Sequence, residues 1–378
     1  MVRHDRPRLA SYAMRVEETQ GRRYPEPPHP YRNDYERDRD RIIHSRAFRR
    51  LENKTQVFTR RVSDHFRNRL THTLEVAQIS RTVAQALGLN TDLVEALALV
   101  HDVGHPPFGH AGETVLAQMM RRHQDSFDHN LHALRTVEKF EQKYVEFPGL
   151  NLTFEVREGI IKHSRDYDPA VHPELREYRL DELPPLEAQL IDVADELAYN
   201  CADLDDGMES KLLTLGIIRE GLPLFASLYC PIDRKYPAAL EKLKFNEALK
   251  RLLDTLVTDL IDATRLRLRK LKVRAVEQVR CHSSRLVGLG LRHARENQQF
   301  KEFLHRNLYS HQNVDAERKK IIKCLERLFE YFLEHPRSLP AAYFAKTQQE
   351  PAHRVVCDYI AGMTDNYLLE QHRKLLGE

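Results

Sequence analysis

Asn90-Thr-Asp-Leu-Val-Glu-Ala-Leu-Ala-Leu-Val-His-Asp-Val-Gly-His-Pro-Pro-Phe-Gly-His-Ala-Gly-Glu113 begins as an almost wholly apolar segment and ends in a cluster of polar groups. Leu93 to Val100 reads as a helix, with Asp92 as N-cap and Glu95 three residues on. A helix that is hydrophobic nearly all round belongs inside the protein. It delivers His101 and Asp102, both good metal ligands, at the end of a core element, and Gly104 with Pro106-Pro107 stops it at once. Three histidines, 101, 105 and 110, fall within ten residues. A core does not collect such groups unless they are paired or bound to something. This stretch predicts a site.

The chain around it is 378 residues long, enough for two or three domains or one large helical body. With 59 Lys+Arg against 56 Asp+Glu, the net charge of +3 demands no nucleic-acid partner, and any basic surface must be local. The five cysteines (201, 230, 281, 324 and 357) form no CxxC pair, which points to a reducing, cytoplasmic setting rather than a disulfide framework or thiolate zinc site. No apolar run approaches membrane-spanning length. The N-terminus carries arginines but no hydrophobic segment, so it does not read as a secretory signal. Internal repeats, a Gly-rich phosphate loop and GxSxG are not found.

Residues 1–40, rich in Arg, Pro, Glu and Asp, read as an extended, poorly packed arm, either a flexible tail or a reach to a neighbouring subunit. From Arg41 the spacing of Ile42, Ile43, Ala47, Phe48 and Leu51 is helical, and Lys54-Thr-Gln-Val-Phe58 is short and β-prone. In the helix that follows, Leu70, Leu74, Ala77 and Ile79 can face a core, while Arg69 and His72 lie together three apart. A lone helical His such as His72 is usually a packed or surface residue; a ligand is the alternative. Residues 114–165 read as helical, with His129 and Asn130 at a helix N-terminus or in a substrate contact. Four prolines make 166–185 a loop or lid.

Leu186–Asp206 carries Asp192, Asp195, Tyr199, Asp203 and Asp206 at steps of 3, 4, 4 and 3, one stripe of a helix. That stripe fits an ordinary solvated face or the lining of an internal cavity. After Gly207 the sequence is helical and charged. Arg265–Arg274 is its most basic run, a solvated face or a binder of nucleic-acid or nucleotide phosphates. Ile321–His335 is amphipathic, and Arg354–Leu376 reads as a final helix. The organisation expected is an arm (1–40), a helical core (41–207) and a C-terminal helical region packing on it (208–378).

The chemistry rests on convergence. His72, His101, Asp102 and one Asp of the stripe would make a mixed N/O site suited to manganese, iron, zinc or nickel, and less obviously to magnesium. Such a metal polarises a phosphoryl oxygen and activates water. His110 and Glu113, three apart on a helix restarting after the prolines, can touch, and a carboxylate-oriented His is a general acid or base. His105, Arg69 and His129 offer positive charge to a polyphosphate.

At these residues the sequence resembles the HD-domain deoxynucleoside triphosphate triphosphohydrolases, in particular the dGTP triphosphohydrolase-like group. The likeness lies in Arg69-Leu-Thr-His72, His101–Glu113 and Asp195-Glu-Leu-Ala-Tyr199. It extends to Phe48–Phe58, Phe127-Asp-His-Asn130, Leu308-Tyr-Ser-His311 and Asp358–Asp365. The resemblance implies an all-α fold, an HD-domain helical core with an additional C-terminal helical region. It implies a divalent metal (Mn, Mg, or another such as Fe, Zn, Ni or Co) on His72, His101, Asp102 and Asp195, and a catalytic pair His110–Glu113. Arg69 and His105 would lie near the phosphates, and Gln56, Tyr199 and Asp203 around the deoxyribose. It further implies hydrolysis of dNTPs to deoxynucleoside and tripolyphosphate by a homo-oligomer. Glu196 departs from a phosphate-binding lysine of some nucleotide-regulated relatives. Two other readings remain open: another HD phosphohydrolase, acting on monophosphates or cyclic nucleotides, and a nucleotide-sensing oligomer that binds single-stranded nucleic acid through the 265–274 run.

Overall fold

The computed structural model describes residues 9–56 and 66–377, with the side chains of 312–318 left aside. Among these residues the fold is all-α, with three isolated β-bridges and no sheet. The stretch Lys54–Phe58 lies partly outside the described residues; Thr55 makes one antiparallel bridge to Asn68.

The apolar helix Thr91–Val100 sits at the centre, packed by Asp34–Ile43, Arg69–Leu87, Phe154–Ile161 and Leu186–Glu209. Leu93, Val94 and Ala96 through Val100 are all buried, and each Leu or Val placed there contributes about 1.5–3 kcal/mol. Its cap is Asn90 rather than Asp92: Asn90 Oδ1 accepts the N–H groups of Asp92 (3.2 Å) and Leu93 (3.3 Å). Asp92 is already helical, and its carboxylate instead accepts from Asn33 Nδ2 at 2.7 Å.

Arg69–Leu87 buries Arg69, His72, Val76, Ile79, Val83 and Leu87, while Leu74, two positions past His72, falls on the far side and is 52% exposed. The expected core position at Leu74 is therefore corrected. The N-terminal arm differs from expectation in part: Leu9, Tyr12 and Val16 pack against the core, while most of residues 23–32 is exposed. Ala13 and Met14 are buried, the Met14 N–H donates to Glu187, and Arg22 pairs with Asp34 and Asp38. Helix begins at Asp34, not Arg41, because Asn33 and Glu36 form a capping box there.

The core does not part at residue 207. One cluster runs from Ala13 to Leu308; a second joins Phe108–Phe127 to Ile321–Leu368. The final segment is two helices, Ala352–Ala361 and Asp365–Leu376, broken at Gly362-Met-Thr and restarted by the Thr364 cap. The break carries Asp365 to the turn after the core helix. All five cysteines are free, and no helix among the described residues is long and apolar enough to cross a membrane.

Candidate active site

Three elements supply the four donors. His72 projects from the first turn of Arg69–Leu87, which is fixed by the Asn68–Thr71 capping box. The core helix runs directly into His101 and Asp102, and Asp195 projects from the middle of Leu186–Glu209. His72 Nε2 lies 2.8 Å from Asp195 Oδ1. His101 Nε2 lies 3.5 Å from Asp102 Oδ1 and 3.7 Å from Asp195 Oδ1. The expected donor set converges.

Its electrostatics favour a cation. His101 donates Nδ1–H to Ala98 O at 2.6 Å, which fixes the tautomer and leaves Nε2 as a lone pair. That Nε2 is buried with no hydrogen-bond partner among the described residues. Burial lowers the His101 pKa and keeps the ring neutral. Against its own burial, Asp102 is held well below the usual carboxylate range by Arg69 and His105. Asp195, also against burial, is pulled down by its bond to His72. A neutral nitrogen lone pair facing two ionised carboxylates is repulsive unless a positive charge sits between them. The residues present fit a divalent ion of the kind bound by mixed nitrogen and oxygen donors.

Beside this centre lies a second cluster. Arg69 Nη1 donates to Asp102 Oδ2 at 2.9 Å, and His105 Nδ1 is 2.9 Å from Asp102 Oδ1. His105 stacks on His129 with ring centroids 4.0 Å apart. Burial, reinforced by Arg69, depresses His105 well below the ordinary histidine range. Glu113 holds His129 twice, through its backbone N–H at 3.1 Å and its Nδ1 at 2.9 Å. His110, 81% exposed at the side chain, stands 3.5 Å from the other Glu113 oxygen. Glu113 thus lies near His110, as their spacing suggests, but its closer partner is His129. Gly104 permits this arrangement, since a Cβ there would stand 1.9 Å from His129 O.

Of these groups, Arg69, Asp102, His105, His110, His129 and Asp195 line one cavity of about 1060 Å³. Asp192, Asp195, Tyr199 and Asp203 face it, so the helical stripe lines an interior space rather than a solvated face. Asp206 turns away to Arg67, 2.6 Å from Nη1. Burial pushes Asp203 up to about 7, and Tyr309 O–H donates to it. Gln56 also lines the cavity, with Oε1 buried and unpartnered among the described residues.

Sequence reading missed His163, Arg285, Lys301, His305 and Tyr309, all on the cavity wall. The last three step by four along the chain, the same stripe signal that exposed Asp195, Tyr199 and Asp203. Glu196, which breaks the expected pattern, accepts from Asn297 Nδ2 at 2.6 Å and Lys301 Nζ at 2.9 Å.

Residues 69–200 match the HD domain and residues 287–374 the phosphohydrolase-associated domain. The chain is 46% identical to a deoxyguanosinetriphosphate triphosphohydrolase-like protein of Bordetella parapertussis over 97% of its own length and 96% of that protein. Like-named proteins of Geobacter sulfurreducens (44%, covering 98% and 96%) and Thiobacillus denitrificans (43%, covering 98% and 97%) agree. With the metal-type donor set and two matched domains in one helical body, this chain belongs to the HD-domain phosphohydrolases of the deoxyguanosinetriphosphate triphosphohydrolase-like family.

Proposed function

We propose that the protein is a metal-dependent triphosphohydrolase of deoxynucleoside triphosphates, cleaving them to deoxynucleoside and tripolyphosphate. One observation carries this reading: the donors His72, His101, Asp102 and Asp195 converge, and Asp102 and Asp195 open onto the same cavity that Tyr199 and Asp203 line further along one helix. Those four residues would hold a divalent ion, manganese or magnesium or a related metal, and when bound it supplies Lewis-acid polarisation of a phosphoryl oxygen and a more acidic water.

The chain's own residues account for the rest. Arg69 is buried beside Asp102 and gives the cavity a fixed positive charge for a phosphate chain. His105 and His129, stacked, form an imidazole wall next to it. Water attack at the α-phosphorus breaks the bond to the 5′-oxygen, so that oxygen must receive a proton. Glu113 orients two imidazoles for this task, His110 and His129, both on the cavity wall. At the sugar end, Gln56 Oε1 is an acceptor in want of a donor such as a 3′-hydroxyl. Tyr199 and Asp203 complete that wall and leave the 2′ position to be judged by fit.

The alternative of a nucleic-acid sensor draws little from the basic run. Arg265 Nη2 donates to Ala86 O at 2.8 Å, and Arg267 to Leu286 and Leu289 carbonyls, so two of its arginines serve the fold. Purified protein incubated with each dNTP, singly and mixed, with Mg²⁺, Mn²⁺ or Co²⁺ tests the proposal. Tripolyphosphate and deoxynucleoside in the chromatogram support it. Monophosphate products, or no turnover with any pair, reject it.

A further inference from the structure

His163 follows the helix Phe154–Ile161 and points into the cavity wall, 6% exposed. Its imidazole spans two carboxylates on successive turns of Leu186–Glu209. Nδ1 lies 2.7 Å from Asp192 Oδ1, and Nε2 lies 3.7 Å from Asp195 Oδ2. The ring stands edge-on to His101, centroids 5.3 Å apart. Asp192 is itself clamped. Its Oδ1 accepts the Ser164 N–H at 2.9 Å, and its Oδ2 accepts from Arg285, whose Nη2 donates to Lys162 O at 2.9 Å. The His163 carbonyl is held by Asn130 Nδ2 at 2.7 Å, from the helix that carries His129.

We propose that His163, braced by Asp192 and Arg285, is a positioning residue for Asp195 in the metal centre. The inference rests on the metal reading above. Asp195 Oδ1 is already engaged by His72 at 2.8 Å, so the orientation of the carboxylate depends on what borders Oδ2. At 3.7 Å His163 is longer than a hydrogen bond from Oδ2 but close enough to limit rotation of the group. Packing alone would be served by an apolar side chain. An imidazole sealed between two carboxylates is costly unless it orders them. Partners that orient a metal ligand typically change metal affinity roughly ten- to a hundredfold when removed.

The test is Mn²⁺ titration of metal-stripped full-length protein, by calorimetry and by the free-Mn²⁺ signal in electron paramagnetic resonance, with activity as a second readout. His163→Ala is expected to weaken Mn²⁺ roughly ten- to a hundredfold. His163→Gln, which keeps a polar tip toward Asp195, should lose less. Asp192→Asn should weaken Mn²⁺ in the same direction, and its combination with His163→Ala should be no worse than His163→Ala alone. Mn²⁺ affinity within twofold of wild type in folded His163→Ala overturns the proposal. Should that variant fail to fold, wild-type affinity in both His163→Gln and Asp192→Asn overturns it equally. A different pattern would sink the metal reading first: wild type that binds no Mn²⁺, or Asp102→Ala that binds it as tightly.

Discussion

The carboxylate of Asp365 accepts the backbone N–H of Phe108 at 2.9 Å, across 257 positions of chain. Its other oxygen accepts the Thr55 N–H at 2.8 Å and the Thr55 hydroxyl. Phe108 has φ 60, a left-handed backbone that a bulky side chain adopts only when its surroundings impose it. Lys54 Nζ, buried nearby, donates to His105 O and to Ala361 O at 3.1 Å. The C-terminal helices therefore fasten the turn between His105 and His110, although neither helix supplies a metal donor.

Asp365→Ala should consequently damage catalysis from a position outside the cavity. It leaves two backbone N–H groups without an acceptor, at a cost of about 1–3 kcal/mol each. We expect a lower denaturation midpoint and a kcat reduced at least tenfold. Asp365→Asn, which retains one acceptor oxygen, should fall between Ala and wild type. Equal kcat in all three proteins would show that the turn holds its shape unaided.

Asp102→Ala should abolish metal binding and turnover together, because it removes a donor and leaves Arg69 an uncompensated buried charge. His110→Ala should keep the metal and lose rate, by roughly a hundred- to ten-thousandfold. Glu113→Gln tests the closer pairing. Since Glu113 holds His129 at 2.9 Å and His110 at 3.5 Å, His129→Ala should cost rate comparably to His110→Ala. Metal titrations beside kcat separate the two groups, and a His110→Ala protein that lost metal would show that the residue had been given the wrong role.

How much of this was legible depended on whether a residue carried a local pattern. His101-Asp102 could be read because an all-apolar helix ends there against Gly and Pro, and the chain marks both events within one window. Asp195, Tyr199 and Asp203 were visible as a stripe, but which way the stripe faced is decided by packing of other helices. His163 has no such signature, since its partners lie about thirty residues on, at Asp192 and Asp195. The Asn90 cap was hidden by Asp92, an equally good capping residue two positions later. The arm misled because its prolines and charges match a disordered composition, yet Arg22 and Glu26 find buried partners in Asp38 and Arg41. The break at Gly362 passed unnoticed because glycine within a helical pattern is often tolerated.

Glu187 offers a test of stability against pH away from the candidate metal site. Burial pushes its carboxyl from 4.5 up to about 7, although it accepts the N–H groups of Met14 and Asn90. The folded state thus holds this proton more tightly than the unfolded state does. The resulting penalty is absent below about pH 4.5, grows as pH rises, and is complete above about 7, where it amounts to about 3 kcal/mol. Glu187→Gln keeps an acceptor and carries no charge. Its Tm should gain on wild type as pH rises from 5 to 8, and a difference independent of pH would contradict the assignment.

Gly104→Ala probes the closest approach in the site. A Cβ at this position would meet His129 O at 1.9 Å, Ala133 N at 2.4 Å and the Ala133 Cβ at 2.7 Å. Two of those atoms are backbone of the helix His129–Arg135, so no side-chain rotation relieves the clash, and the helix must move outward. His132, whose Nδ1 bonds Gly104 O at 2.9 Å, moves with it. So does His129, leaving both Glu113 and the His105 ring. The metal donors stand on other elements, and the shift reaches them only indirectly, through Asn130 and the His163 carbonyl it holds. The expected result is therefore a destabilised protein, by about 1–3 kcal/mol for overpacking, that loses far less Mn²⁺ affinity than Asp102→Ala yet turns over at least a hundredfold more slowly. A variant with normal kcat would mean that the imidazole wall built by His129 is not part of the chemistry.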